Sequence, residues 1–328
     1  MKAIVWTKYG SPDGLQLREV EKPSPRDNEV LIRVHATSVS AADSEMRTMN
    51  FPFWLWLPIR LMIGLRRPRR ITILGQELAG VIEATGRNVT RFQPGDPVFA
   101  WTGLHFGGYA GYDCLPETAM MMVKPASLSY EEAAAIPVGG LEAWCFLRKA
   151  KVRPGEKVLV YGAGGSIGTF AVQLARYYGA EVTAVDRASK HEMLRALGAS
   201  HVIDHTREDF TRSGQAYDVI IDAIAKAPFA GSIRSLTPQG RYLSNPRPSK
   251  SLQGKWLTRD SRKQVLLETA GQTIEDLQSL CALLESGRIK AVIDRTYPLE
   301  QAAEAHRYVD GGEKKGNVIL TVTHPSDG

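Results

Sequence analysis

The sequence predicts an α/β protein in which a β-rich part accompanies a doubly wound parallel sheet. Two patterns and one motif carry this expectation. Up to about residue 125, short β-type segments are separated by glycine and proline; from Lys157 onward, apolar strands alternate with helical segments; and a glycine-rich turn stands at the first crossover. Strands at close spacing read as a compact β-domain, whereas strands separated by helical stretches of about 10–15 residues imply βαβ units.

Taken in order, the early β-type segments are 3–6, 29–36, 78–85, 97–99 and 109–115. The period changes after Pro125. Ser129 followed by Glu131 and Glu132 reads as a helix N-cap with carboxylates in the first turn, and 141–150 continues a helical pattern. Strands 158–161, 181–185, 201–203, 219–222 and 241–243 then alternate with helices 166–178, 189–197 and 228–236. Helices near 274–286 and 299–309 and a last strand, 317–322, complete the chain.

Composition narrows the function classes. A chain of 328 residues suggests two domains, and 23% charged residues is ordinary for a globular protein, which excludes disorder and collagen-like repeats. Cys114, Cys145 and Cys281 are too few and too scattered for a disulfide framework or a CxxC metal knuckle, so a reducing, cytoplasmic setting is expected. The N-terminal MKAIVW runs at once into Lys8, Gly10, Pro12 and Asp13, without a signal-peptide core. The most hydrophobic stretch, 51–65, is interrupted by Pro52, Pro58 and Arg60 and falls short of the ~20 residues of a spanning helix. The net charge of +6 gathers mainly at Arg66, Arg67, Arg69 and Arg70 with no nucleic-acid motif beside it, so nucleic acid is not an expected partner.

The strand Val158-Leu159-Val160-Tyr161 leads into Gly162-Ala163-Gly164-Gly165-Ser166-Ile167-Gly168 and then a helix. Strand, GxGxxG and helix form the dinucleotide fingerprint: one glycine makes the tight turn, another lets backbone approach a pyrophosphate, and the last lets helix and strand pack closely. The helix start, at Ser166 and Ile167, offers N–H groups and a positive dipole end to phosphate. Asp186 closes the next strand at the position that accepts ribose hydroxyls, which favours NADH. Arg187, Lys190 and His205 lie near the same edge in sequence and suit the 2′-phosphate of NADPH, or are solvated loop charges. The expectation is NAD(P)H, with the choice between the two forms open.

On these residues the chain resembles the medium-chain dehydrogenase/reductases, specifically their zinc-free quinone-oxidoreductase branch. The matching stretches are GQELAGVI (75–82), FQPGD (92–96), GGYA (107–110), AAAIPV (133–138), the glycine turn through Gln173, LGASHVID (197–204) and GNVIL (316–320). The resemblance implies a GroES-like catalytic domain, 1–125 plus 271–328, with a Rossmann domain, 126–270, inserted in it and a cleft between them for nicotinamide and substrate. It also implies that Asn317 helps bind the cofactor. Zinc-dependent relatives bind their metal through two cysteines and the His of a Gly-His-Glu motif. The corresponding residues here are Ser40, Gln76 and Pro137, none a credible ligand, and no four-cysteine lobe is present.

The resemblance extends to an Asn-x-x-Asp element that reads Ser40-Ala41-Ala42-Asp43 here, with Ser replacing the Asn. In that reading Ser40 donates to substrate oxygen or to the nicotinamide ribose and Asp43 orients the loop; the plain alternative for Asp43 is a helix cap. Tyr109 reads as a packed strand residue, and His105 as either a loop proton donor or an exposed histidine. Glu142 stands where relatives frequently carry Thr, and reads as a carboxylate at a helix start. The segment 51–70 is a substrate lid built on Trp54 and Trp56, a basic membrane-surface contact, or a helix packed on the domain or in a dimer contact. The expected activity is hydride transfer from NAD(P)H to a quinone or enone without zinc, in a homodimer. The alternatives are a metal-free alcohol dehydrogenase or carbonyl reductase, and a cofactor-binding scaffold or sensor.

Overall fold

The structure, a computed structural model, describes residues 1–51, 53–245, 248–267 and 271–324, without the side chains of Phe53, Trp54, Pro248, Ser249 and Leu252. Trp54, half of the expected lid, therefore lies outside the described side chains. The chain divides into two compact units, Met1–Val138 with Ile293–Gly328, and Gly139–Val292.

The first unit contains β1 (Lys2–Trp6), β2 (Leu15–Glu19), β3 (Glu29–Ser38), α1 (Ala41–Thr48), α2 (Phe53–Ile63), β4 (Glu77–Thr85), β5 (Pro97–Trp101), β6 (Tyr112–Pro116), β7 (Met120–Val123) and α3 (Tyr130–Ala134). Helix α4 (Pro137–Ala150) leads into the second unit, which holds β8 (Lys157–Tyr161), α5 (Ser166–Tyr177), β9 (Glu181–Asp186), α6 (His191–Ala196), β10 (His201–Asp204) and β11 (Tyr217–Asp222). It continues with α7 (Phe229–Arg234), β12 (Leu236–Ser244), α8 (Pro248–Leu257), β13 (Gln264–Leu266) and α9 (Ile274–Glu285). The chain then re-enters the first unit with β14 (Ile293–Pro298), α10 (Ala302–Asp310) and β15 (Asn317–Thr321).

In the first unit the principal sheet runs β14-β15-β3-β4-β5-β7, with β6 paired to β3. Strand β15 pairs antiparallel with β3, bringing Ile319 opposite Ser38, so the C-terminal segment is built into the N-terminal sheet. Ile32, Val34, Leu78, Val98, Val318 and Leu320 point into one apolar core with α10. The α/β organisation and the GroES-like β-domain follow the sequence expectation.

The second unit is a wholly parallel six-stranded sheet, β10-β9-β8-β11-β12-β13. Numbered within the unit this is 3-2-1-4-5-6, the doubly wound order whose direction reverses beside the first strand. Residues 158–160 and 219–222 are buried without alternation, as expected for strands covered by helices on both faces.

The unit boundaries, 138/139 and 292/293, lie downstream of the expected 125/126 and 270/271. Helix α3 packs on β3 and β4 of the first unit. Asp276 at the start of α9 accepts hydrogen bonds from Trp144 Nε1 at 3.0 Å and Arg148 at 2.9 Å, both on α4. Those partners draw α3 into one unit and α9 into the other.

Candidate active site

The glycine turn follows β8. Gly162 has φ +76°, a left-handed conformation that suits glycine, and the N–H groups of Gly162 and Ala163 both donate to the Val185 carbonyl, at 3.0 and 3.2 Å. A Cβ on Gly168 would lie 2.3 Å from the Gly162 carbonyl oxygen, so this glycine lets α5 press against the turn. Gly165 is the N-cap of α5 and supplies no side chain to its first N–H groups; a Cβ there would meet only Gly162 O, at 3.6 Å. An open cradle over the start of a 12-residue helix fits a pyrophosphate. Ser166, Ile167 and Gly168 form the first turn of that helix.

Asp186, at the end of β9, is buried and engaged. Its carboxylate accepts the Gly164 N–H at 2.8 Å and its neighbour Arg187 N–H at 2.8 Å, and pairs with the buried Lys190 ammonium at 3.1 Å. A Cβ on Gly164 would strike Lys190 Cδ at 2.3 Å, so the second glycine makes room for this pair. The ribose-edge candidates Asp186 and Lys190 are thus brought together with the glycine turn, while the Arg187 and His205 side chains are exposed, His205 with its ring 5.9 Å from that of Tyr161. In the other unit, Asn317 opens β15 and is buried.

Ser40 and Asp43 come together in the first unit. Ser40 caps α1, its Oγ accepting the Asp43 N–H at 3.1 Å, and Asp43 returns the bond to the Ser40 N–H at 3.0 Å: a capping box. The Ser40 hydroxyl also donates to Asp43 Oδ2 at 2.6 Å, and Gly75 N–H donates to Oδ1 at 3.2 Å. The Tyr109 phenol lies beside the same carboxyl group, close enough for the two to interact electrostatically. Burial pushes the Asp43 carboxyl up despite these donors and holds the Tyr109 phenol protonated.

Sequence reasoning missed the inner half of this network. Tyr109 precedes β6 instead of lying in a strand, and its hydroxyl meets His306 Nε2 at 3.1 Å. Arg47 Nε donates to His306 Nδ1 at 3.3 Å, with Ser44 Oγ also 3.3 Å from that nitrogen. With Nδ1 accepting from Arg47, the proton lies on Nε2 and points at Tyr109. Burial, reinforced by the Arg47 charge, lowers the His306 pKa to about 3 and keeps the ring neutral. The signal was present: Ala302, Ala305, His306 and Val309 form the buried stripe of α10, with one polar residue among apolar ones.

Glu77, next to Gln76, is fully buried. It accepts the Val138 N–H at 2.6 Å and the Ser38 hydroxyl, and burial raises its pKa to about 7. His105 pairs with Asp113 at 3.2 Å, a hydrogen bond that raises the histidine's pKa. In the second unit, burial raises the Glu142 carboxyl. Among the described residues, no three His, Cys, Asp or Glu side chains converge as a metal site.

A parallel sheet of this order with a glycine turn at its reversal, together with a β-domain completed by the chain's own C-terminal strand, defines a two-domain nucleotide-dependent oxidoreductase. Comparison with known proteins agrees. Residues 26–126 match the family described as alcohol dehydrogenase GroES-like domain, 146–228 alanine dehydrogenase/PNT, C-terminal domain, and 197–320 zinc-binding dehydrogenase. A quinone oxidoreductase of Sus scrofa is 32% identical over 93% of this chain and 93% of its own. A 2-methylene-furan-3-one reductase of Solanum lycopersicum is 30% identical over 99% of this chain and 79% of its own. The solved quinone oxidoreductase of Coxiella burnetii superposes with a TM-score of 0.89 at 28% identity, over 98% of this chain and 99% of that one. The chain belongs to the quinone-oxidoreductase-like branch of the medium-chain dehydrogenase/reductase superfamily, and it is an NAD(P)H-dependent oxidoreductase.

Proposed function

We propose that this protein reduces a quinone or the activated C=C bond of an enone, without zinc, using Ser40 to serve the acceptor oxygen. The observation that carries the reading is the buried Ser40–Asp43 hydrogen-bonded pair beside the Tyr109–His306 pair, standing where zinc-dependent relatives begin their metal site. Ser40, Gln76 and Pro137 offer no strong metal donors, and a Lewis acid is what alcohol oxidation most needs. A conjugated acceptor needs less: a hydrogen-bond donor at the oxygen where charge develops.

The glycine turn would hold the pyrophosphate of a reduced nicotinamide dinucleotide, which when bound would supply the hydride. Gly162, Gly164, Gly165 and Gly168 shape that turn, Ser166 and Ile167 present the helix start, and Asp186, Arg187, Lys190 and His205 form the adenosine-ribose edge. Asn317 completes the proposed cofactor set.

The Ser40 hydroxyl now donates to Asp43 Oδ2 at 2.6 Å. Once Asp43 is protonated, as burial favours, the bond reverses: the carboxylic acid donates to Ser40 Oγ, and the Ser40 proton is free for the acceptor's oxyanion. Ser40 passes its proton on and takes one from Asp43, leaving a carboxylate that the N–H groups of Ser40 and Gly75 already stabilise. Tyr109, beside that carboxylate, and its partner His306 lead toward the half-buried Ser44, the proposed route by which the proton is replaced. One hydride and one proton thus account for the reduced product.

Steady-state consumption of NAD(P)H with panels of quinones, enones and saturated ketones tests the reading. Turnover of a quinone or an enone at ordinary rates of ~1 s⁻¹ or more is expected. Turnover confined to saturated ketones or alcohols refutes it, and no turnover with any acceptor favours the scaffold or sensor.

A further inference from the structure

Helix α2 breaks the usual rule for a surface helix, that apolar residues face the core and polar ones face water. Its inner side is well anchored: Ile63 is fully buried, Ile59 packs on the same core, and the Tyr9 hydroxyl donates to the Gly64 carbonyl at 2.5 Å. Arg60 ties helix to loop, donating to the Leu65 carbonyl at 2.9 Å and stacking on Tyr9 and Trp56. The outer side is apolar as well. Trp56, Leu57, Leu61, Met62 and Leu65 are exposed, Leu61 by 56% and Leu65 by 53%, whereas the other exposed large apolar side chains among the described residues are scattered along the chain.

The charge beside this face has one sign. Arg66, Arg67, Arg69 and Arg70 are all exposed in the loop that follows, and no Asp or Glu occurs between Glu45 and Glu77. A clustered apolar face marks an interaction site. An aromatic and aliphatic face flanked by arginines is the composition of helices that lie in the headgroup layer of an anionic bilayer, with apolar side chains at the acyl boundary and cations among the phosphates. A second copy of this chain fits poorly, because a two-fold contact through this face would set like-charged arginine loops near each other.

We propose that the outer face of α2 and the arginine loop after it dock this protein on an anionic lipid surface. The proposal is independent of the acceptor chemistry above. Sedimentation of the full chain with phosphatidylcholine vesicles, with and without phosphatidylglycerol, tests it. The bound fraction is expected to rise at least about tenfold with phosphatidylglycerol and to fall with added salt. Leu57→Glu/Leu61→Glu and, separately, Arg66→Glu/Arg67→Glu are each expected to abolish that rise while unfolding within a few degrees of the parent. Equal sedimentation with both vesicle types, or binding that survives either pair of substitutions, overturns the proposal. So does chromatography in which the parent elutes as a dimer that Leu57→Glu/Leu61→Glu dissociates, with no vesicle binding by either; the face then belongs to a second copy.

Discussion

A carboxylate has about four acceptor positions, and three of those on Asp186 are taken by the Gly164 and Arg187 N–H groups and the Lys190 ammonium. One remains for a ribose hydroxyl in the proposed cofactor site. Neutralising the carboxylate while keeping its shape removes the negative charge that pairs with the buried Lys190, a setting that suits a 2′-phosphate. Asp186→Asn is therefore expected to move the ratio of NADH to NADPH dissociation constants at least about tenfold toward NADPH. An unchanged ratio contradicts the ribose-edge assignment. The glycines and Asp186 were legible because each is required by backbone geometry at a fixed offset from a strand end. His306 was not, because a histidine within an apolar helical stripe has the same spacing as core; only its burial beside Arg47 and Tyr109 reveals its partners.

Elements were legible where local chemistry agreed with packing. Ser129 and Glu132 form the capping box that begins α3, and Thr273 and Asp276 do the same for α9. The reading of 109–115 as one strand fails at its start because Tyr109 turns inward: its N–H donates to Leu74 O at 2.9 Å and its carbonyl accepts from Ile4 N–H at 2.8 Å, so regular pairing with β3 begins at Tyr112. Strand β12 begins at Leu236, well before the expected 241–243, with Leu236 paired to Tyr217 across a register shift. Helix α8 had no apolar period to announce it; Lys250 on it reaches inward to Asp222 at 3.0 Å. Helix α2 was ambiguous for the opposite reason: with apolar residues on both faces, periodicity cannot say which one the protein buries.

Across the molecule, two buried ionisable groups of the first unit oppose each other in acid. Burial raises Glu77 from 4.5 to about 7, so the folded state holds a proton that the unfolded chain releases between those values, and stability falls as pH rises through that window. His306, lowered from 6.5 to about 3, does the reverse, and its stabilisation is lost as pH falls through that range. Glu77→Gln isolates the first effect. The stability of the parent minus that of the variant is expected to fall by about 3 kcal/mol between about pH 4 and about pH 8, read from denaturant unfolding; a flat difference contradicts a buried, proton-holding Glu77. The fold and the glycine turn were legible because strand order and glycine spacing are written locally. The proposed proton route was not, because it gathers residues 40, 43, 109 and 306 through the return of the C-terminal segment. The central claim, reduction served by Ser40 without a metal, is tested most directly by enone turnover after exhaustive chelation, in the parent and in Ser40→Ala. Chelation should leave the parent's kcat unchanged, and Ser40→Ala should lower it by about 10²–10³, the usual loss for one oxyanion donor. Loss of the parent's activity on chelation, or a Ser40→Ala rate within about twofold of the parent, would contradict it.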